Sequence, residues 1–256
     1  MKLAIPFLRF SVNFSTAFLI TPMSEPALPR LIVLPGLDGG DLLFENLRVA
    51  LAGRAGMEVV PLPVTGPQTY DGLADGLAAS LPQSGDYVLL AHSFGGPLAI
   101  LLAGKAKHKP KGLILGATFV RNPWPLMGGI IKAALPSFLH PKSLPVIEAT
   151  LLKSGDHETA YRIYQHLSEI GVNVLSERVK TVLSCDIRKA LQTLSIPVLY
   201  VQGRNDRLIT AAHGQLLQAT GRTVQIAKVD APHLVFQYDM ALTMETVLLP
   251  FLRSLI

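Results

Sequence analysis

Tyr87-Val88-Leu89-Leu90-Ala91-His92-Ser93-Phe94-Gly95-Gly96-Pro97 (residues 87–97) is the stretch on which the reading of the fold turns. Its first six residues form an apolar run ending in His92, the pattern of a strand buried on both faces. Ser93 follows at once, then two glycines and a proline that suits a first helical turn, where its missing N–H is not needed. A strand that turns this sharply into a helix leaves the residue at the bend strained, with its side chain projecting. Side chains two before and two after the bend would collide, which accounts for Ala91 and Gly95. Ser93 is thereby the candidate nucleophile.

Outward from this point, short apolar runs alternate with helical patterns, the signature of a parallel sheet covered on both faces. LIVLP (31–35) reads as a buried strand, followed by a glycine-rich loop and a helix over 43–54. MEVVPLP (57–63) is the next strand, residues 69–80 the next helix, and GLILGAT (112–118) a further strand. The alternation then breaks. Residues 121–180 hold no strand-like run; prolines 123, 125, 136, 141 and 145 punctuate the first half. In the second half Tyr161, Tyr164, Leu167 and Ile170 fall at helical spacing. Strands resume with IPVLYVQG (196–203) and TVQIAKV (223–229), with helices near 209–219 and 239–255. The sequence therefore predicts an α/β core over 31–120 and 181–256, a helical lid inserted over 121–180, and an N-terminal extension over 1–30.

Two further side chains join Ser93. Asp206 follows Arg204-Asn205 at the end of one predicted strand, and His233 follows Ala231-Pro232 after the last. Catalytic groups and ligands collect at the carboxyl edge of open α/β sheets. The residue types and their order, Ser then Asp then His, are those of a nucleophile, an orienting acid and a general base. Asp230 is the reserve acid. The loop Leu34-Pro35-Gly36-Leu37-Asp38-Gly39-Gly40 closes the set: Gly36 permits close backbone approach, so the N–H groups of Leu37 and Phe94 are the expected oxyanion donors. His92 reads as a packed structural histidine pointing away from the nucleophile, and Asp38 and Asp41 as caps of the following helix.

On these motifs the chain resembles the α/β-hydrolase superfamily from about residue 31 to its end. It departs from the common pattern in having Ala91 where Gly is commoner, and Pro35-Gly36 where many relatives have His-Gly. Residues 1–30 also leave no clear room for the two extra strands that relatives often carry. The resemblance implies a serine carboxylesterase acting through an acyl-enzyme on small or medium acyl esters or thioesters, without a cofactor. Within the superfamily the helical lid, the segment Asp186-Ile187-Arg188-Lys189-Ala190-Leu191 before IPVLYVQG, and APHLVF around His233 are similar to the esterases that demethylate a pimeloyl-carrier-protein methyl ester in biotin synthesis. Trp124, Leu126, Met127, Phe138, Leu234 and Phe236 are candidates for an apolar acyl pocket; the other reading is that they are lid and sheet core. Arg121, Lys132, Lys142 and Lys153 outnumber Glu148 over 121–153, which suits docking of an acidic acyl carrier protein; ordinary solubility explains the same charges. Acyl transfer or a lyase step with the same residues, and a non-catalytic ligand-binding hydrolase fold, stay open beside hydrolysis.

Composition narrows the field further. The chain has 256 residues, 49% of them hydrophobic and 16% charged, enough for a sizeable core. Its net charge of +5 is scattered, and the cluster Lys105, Lys107, Lys109 and Lys111 has no interleaved aromatics, so no nucleic-acid surface is expected. Cys185 is the only cysteine and the seven histidines are dispersed, which argues against disulfides and metal sites. GLDGG has neither the GxGxxG spacing of a dinucleotide loop nor the Lys of a P-loop. Pro6, Arg9 and Asn13 interrupt the apolar residues 3–20, so no stable membrane span is expected. A start at Met23 is favoured over a targeting segment in residues 1–22; the first implies a cytoplasmic protein and the second an exported one.

Overall fold

The apolar runs become the strands of one sheet. The computed structural model of the chain describes residues 27–126, 129 and 143–256; the expectations for residues 1–26 lie outside these. The strands are β1 (Arg30–Leu34), β2 (Met57–Val59), β3 (Tyr87–His92), β4 (Gly112–Gly116), β5 (Val198–Gly203) and β6 (Val224–Val229). They lie in the order β2-β1-β3-β4-β5-β6, and every neighbouring pair is parallel.

Successive residues of a strand face opposite sides, and here both sides are core. Ile32, Leu34, Leu89, Ala91, Leu113 and Leu115 face one hydrophobic cluster. Leu31, Val33, Val88, Leu90 and Ile114 face the other. Wholly burying one such Leu, Ile or Val side chain contributes about 1.5–3 kcal/mol. Helices α2 (Tyr70–Leu77) and α3 (Gly95–Lys105) cover the first face, through Leu73, Leu77, Leu98 and Leu102. Helix α1 (Glu45–Leu51) covers the second with Leu47 and Leu51, together with the C-terminal helix.

Between β4 and β5 the chain forms α4 (Leu144–Leu151), α5 (His157–Ile170) and α6 (Val172–Leu183), and then the short α7 (Arg188–Thr193). Asp156 caps α5 by accepting from the Thr159 N–H at 3.3 Å, and Gly171 at φ 88° separates α5 from α6. Helix α8 (Ala211–Thr220) joins β5 to β6. Among the described residues no helix is long and apolar enough to cross a membrane.

Several expected boundaries move. The helix expected over 43–54 is a 3-10 turn, Leu42–Phe44, leading into α1, and it ends before Gly53 at φ 73°. The strand expected over 57–63 ends at Val59: the Val60 N–H still donates to Val33 O at 2.9 Å, but β1 ends at Leu34 and the Leu62 N–H donates instead to Gly39 O of the loop, at 2.9 Å. The closing helix is α9 (Met240–Thr243), a π segment Met244–Leu248, and α10 (Leu249–Arg253). Pro250 cannot donate the next i to i−4 bond, which suits the wider turn before it. On α5 the buried face is set by Ala160 and Ile163, while Tyr161, expected on the apolar stripe, is 51% exposed.

The strand order places the site. The chain leaves β1 toward β2 on one side and then returns to place β3 on the other. The carboxyl ends of β1 and β3 thus flank a switch point, where the connecting loops part and leave a crevice. The loop 35–40 follows β1 and Ser93 follows β3.

Candidate active site

Ser93 has φ 51°, in the left-handed region that a residue with a side chain seldom adopts. Such a conformation costs about 1–3 kcal/mol and needs surrounding support. That support is visible: the Ser93 N–H donates to Gly116 O at 2.9 Å, and the Ser93 carbonyl accepts from Gly96 N–H at 3.0 Å and from the Thr118 hydroxyl at 2.5 Å. The small residues flanking the bend are a steric requirement. A Cβ on Gly95 would stand 2.5 Å from Pro35 O and 2.6 Å from Leu34 O, and one on Gly96 would strike the Thr118 side chain.

The three predicted polar side chains meet at the carboxyl edge. His233 Nε2 lies 2.9 Å from Ser93 Oγ, and His233 Nδ1 lies 3.0 Å from Asp206 Oδ2. The His233 and Asp206 side chains are 3% and 1% exposed. Asp206 Oδ1 accepts from the N–H groups of Leu208 and Ile209 at 2.8 and 2.9 Å, so both its oxygens are used. Burial alone would raise the Asp206 pKa, but the hydrogen bond and charge of His233, with those two N–H groups, hold it below the ordinary carboxylate value. An ionised Asp206 accepts from Nδ1–H, which leaves Nε2 free to accept the Ser93 hydroxyl proton. Asp230, the reserve acid, takes the Asn205 side-chain amide at 2.9 Å instead.

His92 is buried behind this group. Its Nε2–H donates to the His233 carbonyl at 3.0 Å, leaving Nδ1 as a buried acceptor without a partner. Burial holds its pKa down to about 3, so the ring is neutral. Its role is to hold the backbone of His233, a contact the sequence reading did not specify.

In the loop after β1, Gly39 N–H donates to Gly36 O at 3.0 Å, closing a turn with Leu37 and Asp38 at its centre. Among the described residues neither the Leu37 nor the Phe94 N–H donates within the chain, and both residues line the cavity beside Ser93. Two such N–H groups can bind an oxyanion. Asp38 does not cap a helix: it is buried, and its Oδ2 accepts from Gly40 N–H at 3.1 Å. Burial pushes its pKa up, against the pull of that N–H and of His166 and Arg178. Asp41 precedes the 3-10 turn without a side-chain cap bond. Arg178 of α6, wholly buried, donates to the Leu37 carbonyl. Nothing in the sequence marked it, because an Arg between Glu177 and Val179 on an amphipathic helix reads as solvated.

The cavity beside Ser93 has a volume of about 130 Å³ and is walled chiefly by apolar side chains of α5, α6 and the loops after β4, β5 and β6. Of the predicted pocket residues, Trp124 and Leu234 line it. Leu126 does not: it is 96% exposed. Phe236 does not either. It is buried in the core on the opposite side of His92, edge-on to that ring at 6.3 Å, because Gly116 leaves room for its ring. Met127 and Phe138 lie outside the described residues, as do Lys132 and Lys142. Of the other two predicted docking cations, Lys153 pairs with Asp239 at 2.9 Å, and Arg121 lies beside Asp186.

Comparison with known proteins agrees with this architecture. The model of the Alpha/beta hydrolase family matches residues 26–244. The chain is 28% identical over 238 residues to a pimeloyl-[acyl-carrier protein] methyl ester esterase of Aeromonas hydrophila, covering 81% of this chain and 89% of that protein. It is 26% identical over 210 residues to the enzyme of the same name from Neisseria meningitidis serogroup B, covering 75% and 80%. Among solved structures, a hydrolase from Oleispira antarctica superposes with a TM-score of 0.78 at 12% identity, covering 90% of this chain and 92% of that one. The enol-lactonase from Burkholderia xenovorans LB400 gives 0.75 at 15% identity, covering 90% and 93%. At those identities the structural likeness speaks to fold.

Proposed function

From the premise that the chain belongs to the alpha/beta hydrolase family, we propose that it is a carboxylic ester hydrolase working through an acyl-enzyme on Ser93. The observation that carries this reading is the continuous hydrogen-bonded path from Asp206 Oδ2 through His233 to Ser93 Oγ, at 3.0 and 2.9 Å. His233 Nε2 takes the hydroxyl proton as Ser93 Oγ attacks the ester carbonyl carbon. Asp206 fixes the imidazole and stabilises its cationic form. The negative charge that develops on the carbonyl oxygen is bound by the N–H groups of Leu37 and Phe94, each worth about 3 kcal/mol to the transition state. As the tetrahedral intermediate collapses, the C–O bond to the alcohol breaks and the alcohol leaves with the proton from His233. Water then attacks the acyl-enzyme, its proton passing to His233 and on to Ser93 Oγ.

The cavity supports a further narrowing. At about 130 Å³ it is smaller than the roughly 300–1,000 Å³ usual for drug-sized ligands. It therefore suits a short apolar group beside the ester, with the helices between β4 and β5 acting as a lid. Among the described residues Asp38 lines it and no Lys or Arg does, which favours an uncharged ester over a free carboxylate. The relatives named above are esterases of a carrier-linked methyl ester, and a methyl ester at the end of a chain borne by an acyl carrier protein fits these requirements.

The test is hydrolysis of p-nitrophenyl esters across acyl lengths, and of methyl esters free and carrier-linked, by wild type and Ser93→Ala. Turnover that Ser93→Ala abolishes supports the reading. Equal turnover by a folded Ser93→Ala protein overturns it.

A further inference from the structure

Arg178 heads the described side chains in size among those wholly shut off from solvent. It sits on α6, and its guanidinium joins three segments that are distant in sequence. Nη1 donates to the Leu37 carbonyl at 2.8 Å, Nη2 to the Pro63 carbonyl at 3.1 Å, and Nε to the Gln68 side-chain oxygen at 3.0 Å. Those acceptors are neutral, and the charged group that acts on it is the buried Asp38. A buried guanidinium that could have been a packed hydrocarbon is costly, so its polar contacts call for an explanation.

The geometry of the loop supplies one. Leu37 and Asp38 are the central residues of the turn closed by Gly39 N–H and Gly36 O. The peptide between the two central residues of such a turn can swing about its ends, which is how one turn type converts into another. Arg178 Nη1 holds that peptide by its carbonyl. The contact extends to the next residue, since a Cβ on Gly39 would stand 2.6 Å from Nη1. The Leu37 N–H belongs to the preceding peptide, so the fork does not hold it directly; approaching from the helices between β4 and β5, it fixes the carbonyl side of the Leu37 Cα, whose other side carries the N–H that borders the cavity.

We propose that Arg178 is a positioning residue for the oxyanion-binding N–H of Leu37, acting through the Leu37 carbonyl; the inference rests on the ester-hydrolase reading above. It makes those helices part of the transition-state machinery as well as the wall of the cavity. A rigid neutral acceptor set around the fork suits this role, because a carboxylate partner would draw the guanidinium away from the backbone carbonyls.

The experiment compares wild type, Ser93→Ala, Arg178→Met and Arg178→Lys, each checked by circular dichroism and a thermal melt. Three quantities are read: kcat and KM on a p-nitrophenyl ester, and inhibition by a trifluoromethyl ketone, whose adduct with a serine carries the oxyanion. In folded Arg178→Met, kcat is expected to fall about 100-fold, the effect of a misplaced transition-state donor. KM should stay within about threefold, and the ketone should weaken by the same factor as kcat/KM. Arg178→Lys keeps the charge but loses the fork, and should fall between the two. A folded Arg178 variant with wild-type kcat, or one whose kcat falls while the ketone binds unchanged, overturns the inference. So does failure of both variants to fold, which would assign Arg178 to stability alone. Absence of Ser93-dependent turnover in the wild type is a different result, and sinks the ester-hydrolase reading beneath it.

Discussion

The backbone carbonyl of His233 is held by His92, its Nε2 3.0 Å away and the two ring centroids 4.9 Å apart. The residue beside the bend in one strand thus holds the loop after another, and with it the residue whose Nε2 lies 2.9 Å from Ser93 Oγ.

Replacing His92 with Phe should therefore cost about 1 kcal/mol, since the His233 carbonyl loses one of its two donors and keeps the Val235 N–H at 2.9 Å. It should also change the response to acid. The folded pKa of His92 lies at about 3, below the ordinary 6.5, so the unfolded chain binds the proton more readily. Stability from this group is fully present above about pH 6.5 and is lost as pH falls toward 3. Urea melts at pH 7 and pH 4 should show a larger acid loss for wild type than for His92→Phe; equal losses would contradict it.

The choice of acid is open to a direct contrast. Asp206→Asn should lower kcat by about 10⁴-fold, the scale seen when the orienting carboxylate of such a group becomes an amide. Asp230→Asn should stay within about twofold, because Asp230 engages Asn205 and exposed changes of this kind are mild. The reverse ranking in a steady-state assay would move the role to Asp230.

Two glycines of the same helix give opposite expectations. Gly95→Ala places a methyl against the carbonyls of Leu34 and Pro35 and should destabilise by about 1–3 kcal/mol, with loss of activity. Gly104 has open space at its Cβ position, so Gly104→Ala should stabilise by about 0.5–1 kcal/mol. Chemical melts of the two variants decide it.

Trp124 walls the small cavity and donates its indole N–H to Leu208 O at 3.3 Å. Removing the ring in Trp124→Ala should shift acyl preference toward longer chains. Each additional buried methylene would raise relative kcat/KM by about fourfold, the equivalent of about 0.8 kcal/mol. An unchanged length profile would show that Trp124 does not limit the acyl group.

Much of this architecture could be read in the sequence because burial on both faces leaves a plain trace. Tyr87–His92 is continuously apolar up to its last residue, and it becomes β3 with those bounds. Ala91 and Gly95 mark the bend, and at Gly95 even a methyl meets the Leu34 and Pro35 carbonyls. Other features left no such trace. On α5 Tyr164, Leu167 and Ile170 of the expected stripe pack against hydrophobic clusters, whereas Tyr161, apolar enough to join the pattern, faces solvent. Leu126 and Trp124 look alike as pocket candidates, and only the tertiary path of the loop after β4 turns one out and the other in. Arg178 was invisible because a residue type that is nearly always solvated gives no sign when it is buried.

The excursion between β4 and β5 also bears on how the molecule comes into being. Leu113 pairs with Val198, and everything between them must be gathered before that ladder can close. Closing a long loop costs entropy before its contacts give anything back, and parallel neighbours joined this way form slowly. Ser93 belongs to the part of the sheet that precedes the excursion, whereas Asp206 and His233 belong to the part that follows it. The half that holds Ser93 can be in place while Asp206 and His233 are still unassembled. On refolding, sheet and helix signals should return before the first turnover.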